Sequence, residues 1–295
     1  MPLTTITVNN YQIPVKNLTK VFWPTEGYTK ADIMKYYTDV WPFLAPHINN
    51  RPVSLVRYPH GIAREFFYQK DIPKPPAWVS TVPIQSDERV IHYALINNLE
   101  TLIWTANLGC IEVHPWLSKY NTLEFPTAII FDLDPMEPAV FNDAAKIAHY
   151  IKLLLQDLSL EAFPKISGAT GIHIYLPIKP IYTFKQTSAF VKRLGELIIR
   201  NFPHLATNER RISQRLGKVY IDHLQNLKGK TIASVYSLRP FPHAPVSMPI
   251  TWAELPDCHP AMFTLKTAPK RLQKVGDLFK PLLFLEQILP KELLQ

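Results

Sequence analysis

The chain has 295 residues, 47% of them apolar and 12% aromatic, and a formal net charge of +8. This composition excludes a disordered chain, because it can bury a sizeable core, and no apolar run approaches the roughly 18 residues of a membrane span. The start lacks the basic and apolar segments of an export signal, so we expect a cytoplasmic protein without a membrane partner. Two cysteines, Cys110 and Cys258, are too few for a disulfide framework or a structural zinc site. The basic charge favours a polyanionic partner, but it also suits a surface that is only solvated.

Helices are predicted where apolar residues recur at helical spacing behind a capping residue. Thr29, with Asp32 three positions later, resembles a capping box, and Gly109 is typical of a helix end. The predicted helices begin after Thr29, span residues 98–108, begin after Asn142, span 187–200 and begin at Pro281.

Short apolar segments between these helices predict strands. They cover residues 53–58, 127–134, 165–166, 172–176, 219–222 and 234–238. The proline-rich stretch 240–260 is not expected to form regular structure. Helices and strands alternate, so a mixed α/β fold is predicted, with its chemistry at strand ends.

The segment Phe131-Asp132-Leu133-Asp134-Pro135 ends an apolar strand with two carboxylates. Side chains alternate across a strand, so Asp132 and Asp134 share one face. Two neighbouring acids in a low-dielectric setting repel each other, and a divalent cation, which prefers hard oxygen ligands, resolves that conflict. The pair therefore predicts a metal-dependent site.

Two further segments suit phosphate chemistry at such a site. The glycine-rich loop 167–173 lets backbone amides converge, and Ser167, Thr170 and His173 offer donors to a phosphate, although a plain turn is the alternative. A third acid, Asp222, ends another apolar strand within a basic stretch that suits a triphosphate. A capping role for Asp222 and a merely solvated basic face are the alternatives.

Three acids, a glycine-rich loop and basic residues together fit two-metal phosphoryl transfer. One metal would lower the pKa of an attacking 3′-hydroxyl. The other would hold the triphosphate and stabilise the leaving pyrophosphate.

Nine short motifs follow one another in a recognisable order. They are NLTKVFWP (17–24), YTKADIMKYY (28–37), LVRYPHG (55–61), FFYQK (66–70), LGCIEVHPW (108–116), FDLDP (131–135), SGATGIH (167–173), VYIDHLQN (219–226) and SLRP (237–240). This series resembles the polymerase domain of bacterial DNA ligase D, a branch of the archaeo-eukaryotic primase superfamily. The likeness covers roughly residues 10–255.

The resemblance implies a single primase-polymerase domain over residues 1–295, with an archaeo-eukaryotic primase-like fold. An N-terminal module of about residues 1–120 would pack on an RRM-like catalytic core of about 121–255, followed by an extension of about 256–295. The implied activity is a template-directed DNA/RNA polymerase that fills short gaps and extends 3′ ends during non-homologous end joining, preferring ribonucleotides. Its substrates would be nucleoside triphosphates and gapped or broken DNA at the nucleoid.

Site residues carry over from the resemblance one by one. Asp132, Asp134 and Asp222 would be the ligands of two Mg²⁺ or Mn²⁺ ions. The nucleotide would be held by Ser167, Thr170, His173, Arg215, Gln225, Arg239, Arg57, Phe66 and Phe67.

Five of the implied residues have simpler alternatives. Phe66 and Phe67 resemble an aromatic pair that stacks on bases, although strand neighbours point opposite ways, which leaves room for one to stack and one to join the core. Lys20 and Lys30 match a basic pocket for a 5′-phosphate, but either alone is an ordinary surface lysine. His114 matches a position close to the metals, whereas a lone histidine beside tryptophan is commonly a hydrogen-bonded core residue.

The chain departs from the family in two places. Thr170 stands where many members carry a lysine in the loop, which weakens one expected contact to the triphosphate. No Lys-x-Asp-Gly ligase motif occurs in the sequence, so a free-standing polymerase with separate DNA ligase and Ku partners is expected.

Two other functions fit parts of the sequence. A haloacid dehalogenase-type phosphatase also carries Asp-x-Asp after an apolar strand, but generally near the N-terminus and followed by Thr or Val, whereas Pro135-Met136 follows here at mid-chain. A catalytically silent DNA-end-binding module would have to keep three acids without metal, which is costly in a buried setting.

Overall fold

A computed structural model describes residues 4–294, which form two compact units. The first unit comprises the described residues up to Trp116 together with Thr231–Ser247 and Phe263–Gly276. The second comprises Leu117–Lys230, Met248–Met262 and the described residues from Asp277 onward. The division at about residues 120 and 255 stays a prediction. No helix within residues 4–294 has the length and apolar character needed to cross a membrane.

The first unit is built mainly from strands. Its elements before Trp116 are β1 (Thr4–Val8), β2 (Tyr11–Val15), β3 (Val21–Trp23), β4 (Tyr28–Thr29), α1 (Lys30–Ile48), β5 (Pro52–Arg57), β6 (Phe67–Gln69), β7 (Ser80–Gln85), β8 (Val90–Leu95), α2 (Leu99–Asn107) and β9 (Cys110–Pro115). Strands β6, β5, β8 and β7 form one sheet in that order, and β9 also pairs with β5. The β5–β9 register places Val56 opposite Glu112 and Ser54 opposite His114.

Two predicted helix ends in this unit are confirmed. The Thr29 amide donates to the Asp32 carboxylate at 2.7 Å, and the Asp32 amide donates back to the Thr29 hydroxyl at 3.3 Å. Such a cap stabilises a helix by about 1 kcal/mol. Asn98 caps α2 through the Thr101 amide, and Gly109 follows the helix with a φ of 83°, a left-handed conformation that favours glycine.

The second unit holds a six-stranded sheet with two long helices. Its elements are β10 (Ala128–Pro135), α3 (Phe141–Asp157), β11 (Phe163–Ile166), β12 (Ile172–Pro177), α4 (Phe184–Asn201), β13 (Ala206–Thr207), β14 (Val219–Ile221) and β15 (Met248–Pro249). The sheet order is β13-β14-β10-β12-β11-β15. Apart from the two-residue strand β13, the succession β10-α3-β11-β12-α4-β14 is the β-α-β-β-α-β ferredoxin-like arrangement that RRM domains share. The predicted mixed α/β fold with an RRM-like core is thereby confirmed.

The two faces of this sheet differ in chemistry. Phe131 contacts Phe190 of α4, with ring centroids 6.5 Å apart, and Leu133 is fully buried. Because side chains alternate along a strand, Asp132 and Asp134 lie on the face opposite Phe131. The helices therefore cover the apolar face, and the acids occupy the other one.

Some helix predictions are wrong. Helix α3 begins at Phe141, where the Val140 amide donates to Asp143, so Asn142 is not its cap. Helix α4 begins at Phe184 behind Thr183, three residues before the predicted start. Instead of a helix from Pro281, the structure has a short 3₁₀ turn, Lys280–Leu283, while α5 (Ala268–Val275) lies in the first unit.

The predicted strand 234–238 is also wrong. Tyr236 has a φ of 61°, which an extended strand cannot contain. The segment forms an isolated bridge between Leu238 and Val246 and single backbone bonds to Ser247, but no strand. The proline-rich stretch 240–260 is largely irregular, as predicted. Its regular elements are a short 3₁₀ turn, Leu255–Asp257, and β15 at the sheet edge, where a proline is tolerated.

Candidate active site

Three aspartates lie on one face of the sheet in the second unit. Asp132 and Asp134 belong to β10, and Asp222 directly follows β14. The strands are antiparallel with Leu133 opposite Ile221, and one step further the Asp222 amide donates to the Asp132 carbonyl at 3.0 Å. Residues paired this way have Cβ atoms about 4.5–5.5 Å apart. The sheet therefore brings the three predicted metal ligands together.

The three carboxylates differ in their surroundings. Asp132 is 9% exposed, Asp222 is half-buried, and Asp134 is exposed where the strand opens to solvent. Asp222 Oδ1 accepts hydrogen bonds from the Leu224 amide at 2.9 Å and the Tyr220 hydroxyl at 3.1 Å. Burial and the Asp222 charge raise the pKa of Tyr220 to about 12, so this hydroxyl remains a donor. Asp222 thus caps a turn and also stands beside Asp132.

The donor set fits a divalent cation such as Mg²⁺ or Mn²⁺. Three carboxylates on one face offer the hard oxygen ligands that these ions prefer. Within residues 4–294, no group of three His, Cys, Asp or Glu side chains is already gathered at cation-binding distance.

His173 extends the acidic row across the sheet. It lies opposite Asp132 on β12, is 4% exposed, and holds its Nε2 atom 3.3 Å from Asp132 Oδ1. On the next strand, Lys165 lies opposite His173 and is fully buried, with Nζ 5.7 Å from the centroid of the Tyr175 ring. Sequence reasoning missed Lys165, although a lysine inside the apolar strand Phe163–Ile166 was a signal.

The glycine-rich loop is closed by its own serine. The Ser167 hydroxyl accepts hydrogen bonds from the Ala169 and Gly171 amides, both at 3.1 Å. The Ser167 amide donates to the Gly171 carbonyl at 3.0 Å. The amides of the loop therefore converge on Ser167, which is 3% exposed, while Thr170 is exposed at the tip.

Arg215 is tied to the same acidic face. Its guanidinium carbon lies 3.5 Å from the centroid of the Tyr220 ring, and its Nε and Nη2 atoms donate to the carbonyls of Glu209 and Arg210. Tyr220 in turn donates to Asp222. Arg215 therefore shapes the loop before β14 and places positive charge close to an acid.

The turn after Asp222 is anchored by a residue that sequence reasoning missed. Asn226, fully buried, donates to the Ile130 carbonyl at 2.7 Å and accepts from the Ile130 amide at 2.9 Å. This pair of bonds fixes the turn to β10. Gln225, the predicted nucleotide contact, is half-buried on that turn.

In the first unit, His114 and Arg239 share one carboxylate oxygen of Glu112. Glu112 Oε2 lies 3.0 Å from His114 Nε2 and 2.9 Å from Arg239 Nε. His114 and Glu112 are 7% and 5% exposed. His114 and Arg239 were predicted as site residues, whereas Glu112 was missed, although its position two residues before His114 on a strand indicated a shared face.

Phe66 and Phe67 face different neighbours. Phe66 stacks on Tyr58, with ring centroids 5.1 Å apart and an interplanar angle of 18°. Phe67 lies under the Arg57 guanidinium, 5.1 Å from its carbon. Both rings remain exposed, at 52% and 44%, so both offer an aromatic surface to solvent. Tyr68 joins Phe66 and His114 edge-to-face.

Lys20 and Lys30 differ in how they are held. Lys20 Nζ donates to the Pro59 carbonyl at 2.7 Å and lies 3.2 Å from His60 Nδ1. Lys30 is 8% exposed, and its Nζ donates to the carbonyls of Lys16 and Asn107. Burial lowers the pKa of Lys30, and the charges of Lys20 and Arg57 lower it further. Lys20, Lys30 and Arg57 are therefore close enough to repel one another, and together they form a positive region that suits an anion.

Comparison with known proteins decides the family. A family model described as LigD, primase-polymerase domain matches residues 29–279. The chain belongs to the LigD primase-polymerase domain family. Membership in this family excludes the haloacid dehalogenase-type phosphatase that the Asp-x-Asp segment alone left open.

Relatives of this LigD primase-polymerase domain are found in several bacteria. The multifunctional non-homologous end joining protein LigD of Mycolicibacterium smegmatis is 34% identical over 274 residues, which are 92% of this chain and 36% of the relative. The bifunctional LigD of Bacillus subtilis is 34% identical over 263 residues, 88% of this chain and 42% of the relative. The chain therefore spans well under half the length of these relatives.

A solved structure agrees with the fold. The polymerase domain from Mycobacterium tuberculosis ligase D, solved in complex with DNA, is 31% identical and superposes with a TM-score of 0.85. The match covers 92% of this chain and 98% of that domain. The LigD primase-polymerase fold therefore accounts for nearly the whole chain.

Proposed function

We propose that this protein is a template-directed nucleotidyltransferase that extends a DNA 3′-hydroxyl across short gaps and broken ends during non-homologous end joining. The observation that carries the proposal is the placement of Asp132, Asp134 and Asp222 on one face of a LigD primase-polymerase sheet. The substrates would be nucleoside triphosphates and gapped or broken DNA. A DNA ligase and Ku are the proposed partners, at the nucleoid.

The three aspartates would hold two divalent cations, Mg²⁺ or Mn²⁺. When bound, the ions would activate the 3′-hydroxyl and neutralise charge on the triphosphate. His173, 3.3 Å from Asp132, would fix the orientation of that carboxylate. Tyr220 and the Leu224 amide would do the same for Asp222 through their hydrogen bonds to Oδ1.

The remaining predicted residues would bind the nucleotide. The predicted contacts in the second unit are Ser167, Thr170, His173, Arg215 and Gln225, and those in the first unit are Arg57, Phe66, Phe67 and Arg239. Exposed aromatic rings suit base stacking, because every base offers a π-face. Phe66 is the stronger stacking candidate, since the Tyr58 ring supports it from behind, whereas Phe67 already contacts Arg57.

Primer extension on gapped DNA tests the proposed function. With Mn²⁺ or Mg²⁺ and nucleoside triphosphates, the wild type should add nucleotides opposite the template, and ribonucleotides faster than deoxyribonucleotides. An enzyme that incorporates no nucleotide under these conditions is not a polymerase. DNA binding without any incorporation would favour the silent end-binding module.

A 5′-phosphate at the far side of the gap should strengthen DNA binding through Lys20. We expect Lys20→Ala to bind a 5′-phosphorylated recessed end about 5- to 10-fold more weakly, because one exposed charge-assisted contact is lost. Affinity for the dephosphorylated end should change little. Fluorescence anisotropy with the two matched DNAs measures both values.

Lys35→Ala is the matched control for this test. Lys35 lies on α1, is largely exposed and pairs with Asp39, so its loss removes the same net charge at another position. Lys30→Ala is expected to lower the melting temperature as well, because its ammonium is bonded to backbone carbonyls. Equal affinities of the wild type for the two ends would remove the proposed role of Lys20.

A further inference from the structure

Glu112 is a buried carboxylate at the centre of a polar cluster. One of its oxygens, Oε2, meets both His114 Nε2 and Arg239 Nε within 3.0 Å. Burial raises the pKa of the Tyr58 hydroxyl, and the charge of the neighbouring Glu112 raises it further. The residue thus neighbours a histidine, an arginine and a tyrosine that come from three separate segments of the first unit.

The cluster keeps Glu112 ionised. Burial alone raises the pKa of this carboxyl, but the hydrogen bond from His114 and the charge of Arg239 outweigh burial and hold the pKa below its usual value. An ionised carboxylate in turn favours the His114 tautomer that carries its proton on Nε2. The same carboxylate, 2.9 Å from Arg239 Nε, also restricts the orientation of the Arg239 guanidinium, whose side chain is 16% exposed.

The cluster lies behind an exposed aromatic surface. Tyr58, whose pKa the Glu112 charge raises, stacks on Phe66, and Tyr68 contacts both Phe66 and His114 edge-to-face. Phe66 and Tyr68 are 52% and 56% exposed. The orientation of Glu112 is therefore coupled, through direct contacts, to side chains that a nucleotide can reach.

We propose that Glu112 is a positioning residue, which fixes the orientation of Arg239, a proposed nucleotide contact, together with that of His114. The inference rests on the proposed function, because that function assigns a nucleotide contact to Arg239. A purely structural role explains the cluster less well, since a buried ion pair often contributes no more to stability than apolar residues of the same volume. What a shared carboxylate oxygen does provide is a fixed geometry between the His114 imidazole and the Arg239 guanidinium.

Glu112→Gln tests the inference, because it keeps the shape of the side chain and removes its charge. We expect kcat/KM for the nucleoside triphosphate to fall about 10- to 100-fold, by analogy with residues that orient metal ligands, mainly through a higher KM. Affinity for 5′-phosphorylated DNA should stay within about twofold of wild type. Glu112→Asp, which restores the charge on a shorter side chain, should recover part of the loss.

A double variant separates positioning from a general effect. If Glu112 acts through Arg239, Glu112→Gln should lower kcat/KM much less in an Arg239→Ala background than in the wild type. The reason is that the effects of two coupled residues are not additive. Glu100→Gln is the matched control: Glu100 is also 5% exposed in the first unit and accepts from Asn9. That variant should keep the wild-type KM.

Several outcomes would overturn the inference. An unchanged KM in Glu112→Gln would show that Glu112 does not position the nucleotide contact. Additive losses of kcat/KM in the double variant would show the same. If neither Glu112→Gln nor Glu112→Asp folds, the role of Glu112 is structural. If the wild type extends primers and Glu112→Gln does so equally well, this inference alone falls. A wild type without primer extension overturns the proposed function and this inference together.

Discussion

Asp132→Ala is expected to abolish primer extension, with a loss of at least about 10³-fold in kcat. A metal ligand supplies several kcal/mol of transition-state stabilisation, and each 1.36 kcal/mol is a factor of about ten. Asp222→Ala should have the same effect, because Asp222 stands opposite Asp132 on the neighbouring strand. Gapped DNA, Mn²⁺ and ribonucleoside triphosphates make up the assay.

Metal binding gives a second readout for the same variants. A ligand that binds only the folded protein raises its melting temperature, so millimolar Mn²⁺ should stabilise the wild type and leave Asp132→Ala unchanged. Asp157→Ala serves as the control, because Asp157 is an exposed acid at the end of α3 in the same unit. If Asp132→Ala extends primers as fast as the wild type, the metal assignment is wrong.

Gly171→Ala is expected to damage both the fold and the acidic site. A Cβ atom at this position would lie 2.1 Å from the Leu133 carbonyl oxygen and 3.1 Å from Asp134 Oδ1. Since backbone lies at the closest contact, either the loop or β10 must move, at a cost of about 3 kcal/mol. The melting temperature should fall, and primer extension should fall further because Asp134 is displaced. Thermal unfolding and primer extension together measure the two effects.

Gly195→Ala is the matched control in the same unit. Gly195 lies inside α4, and its added Cβ would meet Ile221 Cγ2 at 3.6 Å, an ordinary van der Waals contact. Alanine is favoured over glycine in a helix by about 0.8–1.0 kcal/mol, so this variant should be slightly more stable than the wild type and equally active. If Gly171→Ala melts at the wild-type temperature, the loop is not packed on β10 as described.

Local features of the fold could be predicted from the sequence alone. The Thr29–Asp32 capping box and the Gly109 helix end depend on residues within a few positions of each other, so the sequence pattern is sufficient to find them. The alternation that puts Asp132 and Asp134 on one face is equally local. The ordered motifs added the family, which the match over residues 29–279 establishes.

Other features depended on packing between distant segments. The sequence placed Asp222 at a strand end, but only the antiparallel register of β14 against β10 put it opposite Asp132. The ion pair between Glu112 and Arg239 had no local signal, because the residues next to each of them in the sequence do not indicate that the two side chains meet. The failed strand 234–238 has the same origin: its apolar residues suit a strand, but tertiary packing holds Tyr236 at a positive φ.

The sequence by itself therefore determined which side chains share one face of a strand or helix, because that depends on the 2.0- and 3.6-residue periods of the backbone. The tertiary structure alone decided which of those side chains meet. Strand register and long-range ion pairs are set by the packing of whole elements, whose free energy is spread over many residues and leaves no short pattern to read.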